Sequence, residues 1–300
     1  MQALPLLQID AFTDTVFGGN PCAVVFDADE LSARTMQQIA RELNHSETAF
    51  LMASERADVR ARYFTPGEEI PLAGHPTIAA VHGLLASKRL TMAEHRCSVS
   101  LELQAGIVTV EVAGSPDSPP LITMTQPRPD FLRAYEPEEV AEAFSLPAAA
   151  IRDDLPIVTV STGTPQLMVP ITGHDALRRA RLRPHHYDEL RAFGDFFSAH
   201  LFTPEGVTRT GDTFARHFGV PPDWREDSFT GSATGGMAAY LWAYGLLRQP
   251  RFVAQQGHWM DRPGYAEVEV VGDRDDIHGV RVGGRAVEVM QGMLVLPQDL

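Results

Sequence analysis

Residues 61–85 read ARYFTPGEEIPLAGHPTIAAVHGLL, and the same order of features returns in the second half of the chain. There, residues 215–247 read ARHFGVPPDWREDSFTGSATGGMAAYLWAYGLL. Each copy passes from an Ala-Arg-x-Phe strand through an acidic loop and a small-residue turn into an apolar helix that ends in Gly-Leu-Leu. The starts at residues 61 and 215 lie 154 positions apart in a chain of 300 residues, so the pattern predicts an internal duplication.

The two predicted helices are apolar on almost every side, at residues 78–81 in one and 237–243 in the other. A helix of this kind is buried. We therefore expect an α+β fold class with two pseudo-symmetric domains, related by a pseudo-twofold axis, each with a sheet curled around a central helix. The Pro/Ser/Gly-rich segment 114–120 is the best linker in the chain. It predicts an N-terminal domain of residues 1–118, joined by a C-terminal strand at about 286–300, and a second domain of residues 119–285.

Local patterns place the other elements of the first domain. Ser32 is predicted to cap a helix that reaches about Leu43, because apolar residues recur there at helical spacing. Short apolar runs predict strands that begin near Leu6 and at residues 23–26, 48–52 and 59–64.

Composition excludes several classes of function. The chain has 39 acidic and 25 basic residues, a formal net charge of −14, which disfavours a nucleic-acid partner. Two cysteines are too few for a secreted disulfide framework, so we expect reduced thiols and a cytoplasmic protein. No signal peptide and no apolar stretch of membrane-spanning length stands out, so we expect no membrane association. Metal and phosphate-loop motifs are absent from the sequence, and we expect neither a metal nor a cofactor.

Both small-residue turns, Gly74-His75 and Gly231-Ser232, stand where a loop enters a buried helix. Backbone N–H groups and the helix dipole make such a turn a site for an anion, and glycine allows close approach. If the two halves face each other, both turns point into one cleft between the domains and hold a carboxylate there. For one turn alone, the favoured interpretation is that glycine only allows a tight turn. For two matched turns, the favoured interpretation is an anion-binding site.

Two carboxylates are candidates for acid/base chemistry. Glu47 stands between a helix and an apolar strand, where desolvation would raise its pKa and suit it to proton transfer. Position alone nevertheless favours a solvated glutamate at a strand entrance. Asp227 precedes Gly231-Ser232 by a short step, and it could either cap the helix or bind a substrate amine.

Five ordered segments stand out as motifs: residues 19–25 (GNPCAVV), 44–50 (NHSETAF), 64–77 (FTPGEEIPLAGHPT), 161–169 (STGTPQLMV) and 226–233 (EDSFTGSA). They extend over nearly the whole chain and together are far more specific than any one of them. In this order they resemble the sequence blocks of one family, the PhzF-like isomerases of phenazine biosynthesis.

This resemblance implies a diaminopimelate-epimerase-like fold, a homodimer and a site between the domains. It implies that Glu47 is the acid/base, that His75, Asp227 and Ser232 line the pocket, and that Ser46, Gly74 and Gly231 hold the substrate. In the type reaction, a dihydro-hydroxyanthranilate becomes a ketone as a proton moves between ring carbons. One carboxylate can perform such a shift on one face of the substrate if it is ionised and held close.

The sequence also departs from the family pattern. Ser228 and Phe229 replace the usual Pro-Ala, and Trp224-Arg225 precede them in what looks like a longer loop. Gln166 stands where His is frequent, and Asp261 and Gly264 stand at a usual Gly and Ser. We expect the bulky Phe229 to lie beside the pocket and to change the shape of the substrate that it accepts.

The leading hypothesis is therefore a cofactor-independent isomerase that shifts a proton on a small carboxylate-bearing substrate. An amino-acid racemase or epimerase is an alternative, although it needs bases on two faces and no cysteine stands at either turn. A non-catalytic protein that binds small carboxylates is another. A nicotinamide oxidoreductase is less favoured, because no Gly-x-Gly-x-x-Gly follows a strand.

Overall fold

The computed structural model describes residues 2–115, 118–219 and 226–297, and it divides into two compact units. The first comprises Met1–Met124 and Gly283–Leu300, and the second comprises Thr125–Val282. In the predicted linker, residues 116 and 117 lie outside the described residues, and Ser115 pairs with Ser118 in an antiparallel ladder. The predicted domains, 1–118 with 286–300 and 119–285, differ from these units by a few residues at each boundary.

The first unit is a sheet with two helices. Across the sheet the strands follow the order β17-β1-β2-β3-β4-β6-β7-β8, in which β2–β3 and β4–β6 are parallel pairs and the other pairs are antiparallel. The elements are β1 (Gln2–Ala11), β2 (Asn20–Val25), α1 (Ala33–Leu43), β3 (Glu47–Met52), β4 (Val59–Phe64), β5 (Glu69–Ile70), α2 (Gly74–Ala86), β6 (Arg96–Leu103), β7 (Gly106–Ser115), β8 (Ser118–Gln126) and β17 (Ala286–Leu296).

The second unit has a sheet of the same kind and, in its described residues 125–219 and 226–282, four α-helices. The strand order is β9-β10-β11-β12-β13-β14-β15-β16, with parallel pairs at β11–β12 and β13–β14. The elements are β9 (Asp130–Tyr135), α3 (Pro137–Ala143), β10 (Ile157–Ser161), β11 (Pro165–Pro170), α4 (His174–Arg179), α5 (Pro184–Phe193), β12 (Ser198–Thr203), β13 (Thr213–Phe218), α6 (Gly231–Ala243), β14 (Arg251–Gln256), β15 (Gly264–Asp273) and β16 (Asp276–Gly284).

The two units repeat one topology. From β1 to β7 in the first unit and from β10 to β15 in the second, successive pairs run antiparallel, parallel, antiparallel, parallel and antiparallel. In each unit, one buried helix packs on several of these strands, α2 on β1, β2, β3 and β17 and α6 on β10, β11, β12 and β15. The predicted α+β fold class, with a curled sheet around a central helix in each domain, is confirmed, while the pseudo-twofold axis stays a prediction.

The repeat extends to side chains. Arg62 donates from Nε and Nη2 to the two carboxylate oxygens of Glu69, at 2.7 and 2.6 Å. Arg216 makes the same paired contact with Glu226, at 2.8 and 2.7 Å. Each guanidinium also stacks over the phenylalanine two residues later, Phe64 or Phe218. The Ala-Arg-x-Phe motif therefore ties the acidic loop to its strand in both units, by a planar bidentate contact that lysine cannot reproduce.

The helix ends follow from their capping residues. Ser32 accepts a hydrogen bond from the Thr35 N–H at 3.1 Å and starts α1 as predicted. Asn44, in the left-handed region at φ 54°, ends that helix after Leu43. The prediction that the last apolar helix reaches Gly245-Leu246-Leu247 is wrong. Because Gly245 has φ +75° and the Leu246 N–H bonds back to the Leu241 carbonyl, α6 closes at Ala243.

Within the described residues, no helix is long and apolar enough to cross a membrane. The buried side chains of the first unit centre on Phe50 and Phe64, whose rings meet edge to face at 5.5 Å. Those of the second unit centre on Phe144, Tyr187 and Phe218. The first core includes Phe50 of β3, the strand that begins at Glu47.

Candidate active site

Glu47 is the first residue of β3, and the chain enters it through a fixed turn. The left-handed Asn44 stops α1, so residues 45 and 46 reverse the chain into the strand. β3 pairs in parallel with β2, which sets Cys22 opposite Glu47. The Glu47 side chain keeps 14% of its surface exposed, so this carboxylate is neither fully solvated nor sealed in the core.

A chain of polar side chains leads away from Glu47. His75, in the first turn of α2, holds Nε2 at 3.1 Å from Glu47 Oε2. Its other nitrogen, Nδ1, lies 3.2 Å from the amide nitrogen of Asn20. Ser46 donates from Oγ to the Asn20 amide oxygen at 3.2 Å. Four residues from three parts of the sequence thus form one contiguous group around Glu47.

Burial decides the charge of two of these neighbours. Burial, together with the nearby His45, holds the pKa of His75 well below its ordinary 6.5, so the imidazole is neutral at physiological pH. Burial and the charge of Glu47 raise the pKa of the Cys22 thiol far above its ordinary 9.0. Cys22 is therefore a neutral thiol and a poor nucleophile. Among the described residues no metal-binding cluster of His, Cys, Asp or Glu occurs.

A strained turn between β1 and β2 carries Asn20. The buried carboxylate of Asp10 accepts the Phe17 N–H at 2.7 Å, and Phe17 itself has φ 68°. Gly19 has φ +50°, and a Cβ there would stand 2.0 Å from the Ala11 carbonyl oxygen. Only glycine fits this position, and it delivers Asn20 to the start of β2 with its amide buried beside His75.

In the second unit, Asp227 is 7% exposed and lies just before α6. Its carboxylate accepts a hydrogen bond from the Thr230 hydroxyl at 2.6 Å. Gln256 fastens the same turn, because its amide nitrogen donates to the Asp227 carbonyl and its amide oxygen accepts the Thr230 N–H. Asp227 is thus held by a closed network rather than by capping α6.

The first turns of α2 and α6 share a feature that suits an anion. Ala73 and Thr230 occupy the N-cap positions, and no side chain of the described residues makes a cap hydrogen bond there, since the Thr230 hydroxyl is turned to Asp227. The leading N–H groups of Gly74 in one helix and of Gly231 in the other therefore retain donor capacity and a positive dipole end. Ser232 is half-buried in the same first turn of α6.

A glutamine from β8 supports this turn of α6. Gln126 donates from Nε2 to the Gly231 carbonyl at 2.8 Å and accepts the Thr162 hydroxyl at 2.5 Å. A Cβ on Gly235 would lie 1.8 Å from the Gln126 amide oxygen, so the glycine makes room for the amide. Thr162 belongs to the block at residues 161–169, which gives that motif a supporting role.

The expectation that Phe229 would lie beside a pocket stays a prediction. Phe229 is fully buried, and its ring stands against Gly264, where a Cβ would meet Phe229 Cδ2 at 2.5 Å. The two departures from the family pattern, at residues 229 and 264, therefore fit each other in the core. Ser228 is buried as well, and Trp224-Arg225 lie outside the described residues.

The duplication allows Glu47 to be compared with its counterpart. In each unit, the phenylalanine of the Ala-Arg-x-Phe motif pairs with the second residue of the preceding strand, Phe64 with Thr48 of β3 and Phe218 with Ala199 of β12. The first residues of β3 and β12 are therefore equivalent. The counterpart of Glu47 is therefore Ser198. It is fully buried, donates to Gln166 at 2.6 Å and contacts His217 at 2.9 Å. Of these two equivalent positions, one holds a carboxylate and the other a buried hydroxyl.

The predicted site residues thus form two groups. Glu47, Ser46, Gly74 and His75 lie together in the first unit, and Asp227, Gly231 and Ser232 lie together in the second. The cleft between the domains stays a prediction. Sequence reasoning did not single out the residues that orient these groups: Asn20, Gln126, Thr162, Thr230 and Gln256. Asn20, Thr162 and Thr230 stand inside recognised blocks, and Gln256 opens the block that contains Asp261 and Gly264, so their motifs carried a signal, whereas Gln126 carried none.

Comparison with known proteins shows which family carries these motifs. The phenazine biosynthesis-like protein family, PhzC-PhzF, matches residues 9–292. The chain belongs to this family. The isomerase YfhB of Bacillus subtilis is 34% identical over 90% of this chain and 92% of its own. The trans-2,3-dihydro-3-hydroxyanthranilate isomerase of Pseudomonas chlororaphis is 32% identical over 96% of this chain and 98% of its own.

A solved structure is also similar. The PhzF-family phenazine biosynthesis protein of Bacillus anthracis superposes with a TM-score of 0.89 at 30% identity, over 99% of this chain and 100% of that one. The resemblance read from the five blocks is thereby confirmed. With relatives named as isomerases over nearly the whole chain, this member of the family is an isomerase.

Proposed function

We propose that the protein is a cofactor-independent isomerase that moves a proton on a small, carboxylate-bearing substrate, with Glu47 as the single acid/base. The observation that carries the proposal is the asymmetry of the duplication. Glu47 is a partly exposed carboxylate in contact with His75, whereas its counterpart Ser198 is a sealed hydroxyl. One base on one face suits a shift of a proton between two carbons of the same substrate.

The surroundings of Glu47 support this role. The Nε2 of His75, at 3.1 Å, orients the carboxylate without adding a charge, because burial keeps the imidazole neutral. An ionised carboxylate held in place can remove a proton from carbon and return it to a nearby carbon. His75 then acts as a neutral donor in each step.

We further propose that the anion of the substrate binds at the helix starts. The N–H groups of Gly74 and Gly231 supply donors, and Ser46 and Ser232 supply hydroxyls. Asp227, held by Thr230 and Gln256, suits a substrate ammonium or hydroxyl. This arrangement lets an acidic protein bind an anion through backbone groups, without an arginine.

A racemase is the main alternative. It needs a second base on the opposite face, and Cys22 and Cys97 do not supply it, because burial raises the pKa of both thiols and neither stands at a helix start. A non-catalytic protein that binds small carboxylates would differ from the proposed isomerase only in having no turnover. Homodimeric assembly, a cytoplasmic location and activity without a cofactor stay part of the proposal.

Deuterium incorporation tests the proposal directly. The protein is incubated in D₂O with trans-2,3-dihydro-3-hydroxyanthranilate, on which the Pseudomonas relative acts, and with a panel of cyclic and amino carboxylates. We expect exchange at carbon with at least one compound for the wild type, and a loss of about 10³-fold or more for Glu47→Gln with affinity nearly retained. Glu55→Gln is the matched control, since Glu55 is exposed and outside every motif.

The outcomes separate the hypotheses. Exchange that persists in Glu47→Gln would rule out this residue as the base. Exchange of the α-proton of a chiral amino acid, with loss of optical activity, would favour the racemase. Binding without exchange for every compound in the panel would favour the non-catalytic alternative.

A further inference from the structure

The buried amide of Asn20 lies directly behind His75. We propose that Asn20 is a positioning residue that fixes His75 as the tautomer with its proton on Nε2, so that His75 only donates to Glu47 and never takes the proton that Glu47 carries. This inference rests on the proposed function for its meaning, but its geometry stands apart from any activity.

The chemistry of an amide sets the tautomer. The Asn20 nitrogen is a donor with no lone pair to offer, and it lies 3.2 Å from His75 Nδ1. Nδ1 must therefore accept, and in a neutral imidazole the proton then resides on Nε2. Nε2, with its proton, lies 3.1 Å from Glu47 Oε2.

The Ser46 hydroxyl contacts the other end of the same amide. It donates to the Asn20 oxygen at 3.2 Å, which leaves the amide nitrogen on the side of His75. Asn20 is 1% exposed and His75 is 4% exposed, so water does not compete freely for either contact. The contacts therefore run from Ser46 through Asn20 and His75 to Glu47.

This direction has a consequence for proton transfer. After Glu47 takes a proton from carbon, His75 could accept it only by forming an imidazolium, which would set an N–H on Nδ1 against the N–H of Asn20. Burial opposes that charge as well. The proton stays on Glu47 and is available for return to the substrate.

Titratable side chains near this pair also bear on its charge. His45, just before β3, disfavours a charge on His75, and Cys22 on β2 is a neutral thiol opposite Glu47. Tyr63 on β4 is also buried, bonded to Thr77 and neutral, because burial raises its pKa. Glu47 is thus the charged partner that faces His75 directly.

Nuclear magnetic resonance tests the tautomer without a substrate. The protein is labelled with ¹⁵N-histidine, and two-bond ¹H–¹⁵N correlations identify the protonated ring nitrogen, with His75 assigned from the signal lost in His75→Gln. We expect a bare Nδ1 and a protonated Nε2 at neutral pH, with no second proton down to about pH 5. His82, half-buried on the same helix, is the internal reference.

Two variants test the role of Asn20. In Asn20→Asp a carboxylate faces Nδ1, and we expect His75 to take a proton there near neutral pH. In Asn20→Ala the blocking N–H is gone, and we expect the protonation of His75 to move toward the ordinary 6.5. Neither change should alter the signals of His82.

Two results would overturn the inference. One is a proton on Nδ1 in the wild type, which would make Asn20 irrelevant to the tautomer. The other is a His75 whose tautomer and titration are the same in the wild type and in whichever Asn20 variants fold. Failure of the deuterium experiment with an intact tautomer would reject the proposed function alone, so the two failures are distinguishable.

Discussion

At the scale of single residues, the two departures from the family pattern explain each other. Phe229 fills the volume in which a side chain at residue 264 would stand, and Gly264 leaves that volume empty. A motif comparison shows two unrelated substitutions 35 positions apart (residues 229 and 264). Only the fold, which brings β15 against the loop before α6, shows that they form one packing unit.

A double-mutant cycle measures this coupling. Gly264→Ala should lower the free energy of unfolding by about 1–3 kcal/mol, because its Cβ would meet a buried ring that cannot move aside. Phe229→Ala should lower it by about 3–5 kcal/mol through a cavity. The double variant should lose less than the sum of the two, and urea unfolding of the four proteins gives the coupling energy. Additive losses would show that the two residues do not share a space.

The residue scale also shows where sequence reasoning stops. Position alone did not favour Glu47 over a solvated glutamate, and the family resemblance brought it forward. Asn20 is 27 positions from Glu47 and 55 from His75, and no periodicity relates them. Its role depends on the pairing of β1, β2 and β3 and on a turn that requires φ +50° at Gly19. Strand register and backbone strain of this kind cannot be inferred from a local sequence pattern.

At the scale of elements, the duplicated apolar helices were predictable because helices that are apolar on all sides have one solution, which is burial. The strands at residues 59–64 and the helix from Ser32 to Leu43 were predictable from alternation and capping. The end of α6 was not predictable, because Gly-Leu-Leu lies within the helix in the first repeat and beyond the helix in the second. The strand copies are 154 positions apart and the helix copies 157, so the second loop is three residues longer.

The first turn of α6 gives a prediction for substrate binding. Gln126→Ala removes the donor that holds the Gly231 carbonyl, so the turn should loosen and KM should rise about 10-fold while kcat changes little. Gly235→Ala should have the same effect, because its Cβ would expel the Gln126 amide. The measurement is steady-state kinetics with whichever compound the deuterium panel identifies.

The combination of these changes is the sharper test. In Gln126→Ala with Gly235→Ala, the added methyl group enters space that the amide has left, so the double variant should be no worse than Gln126→Ala alone. A double variant that loses the product of the two single effects would mean that Gly235 acts on the helix itself and not through Gln126.

At the scale of the whole molecule, buried histidines make stability depend on pH. His75, His200 and His217 are at most 4% exposed, and burial lowers the pKa of all three, that of His200 to about 3. The role of His200 and His217 in stability is separate from catalysis, since both belong to the closed network around Ser198. His200 Nε2 is buried and has no hydrogen-bond partner among the described residues, so a charge there would be costly.

Because the pKa values of these histidines are lowered in the folded protein, the free energy of unfolding should decrease as the pH falls. Below about pH 6.5 the unfolded chain binds protons on these histidines while the folded protein does not, so stability present at neutral pH is lost as the pH falls toward about 3. Each buried histidine should add about 1.4 kcal/mol per pH unit to the slope of the free energy of unfolding in that window. Urea unfolding at several pH values measures the slope. His200→Leu should make it shallower by about that amount, whereas His185→Gln, at a side chain 82% exposed, should leave it unchanged. An equal slope in the wild type and His200→Leu would mean that His200 is already charged in the folded protein, and that burial does not govern the acid response.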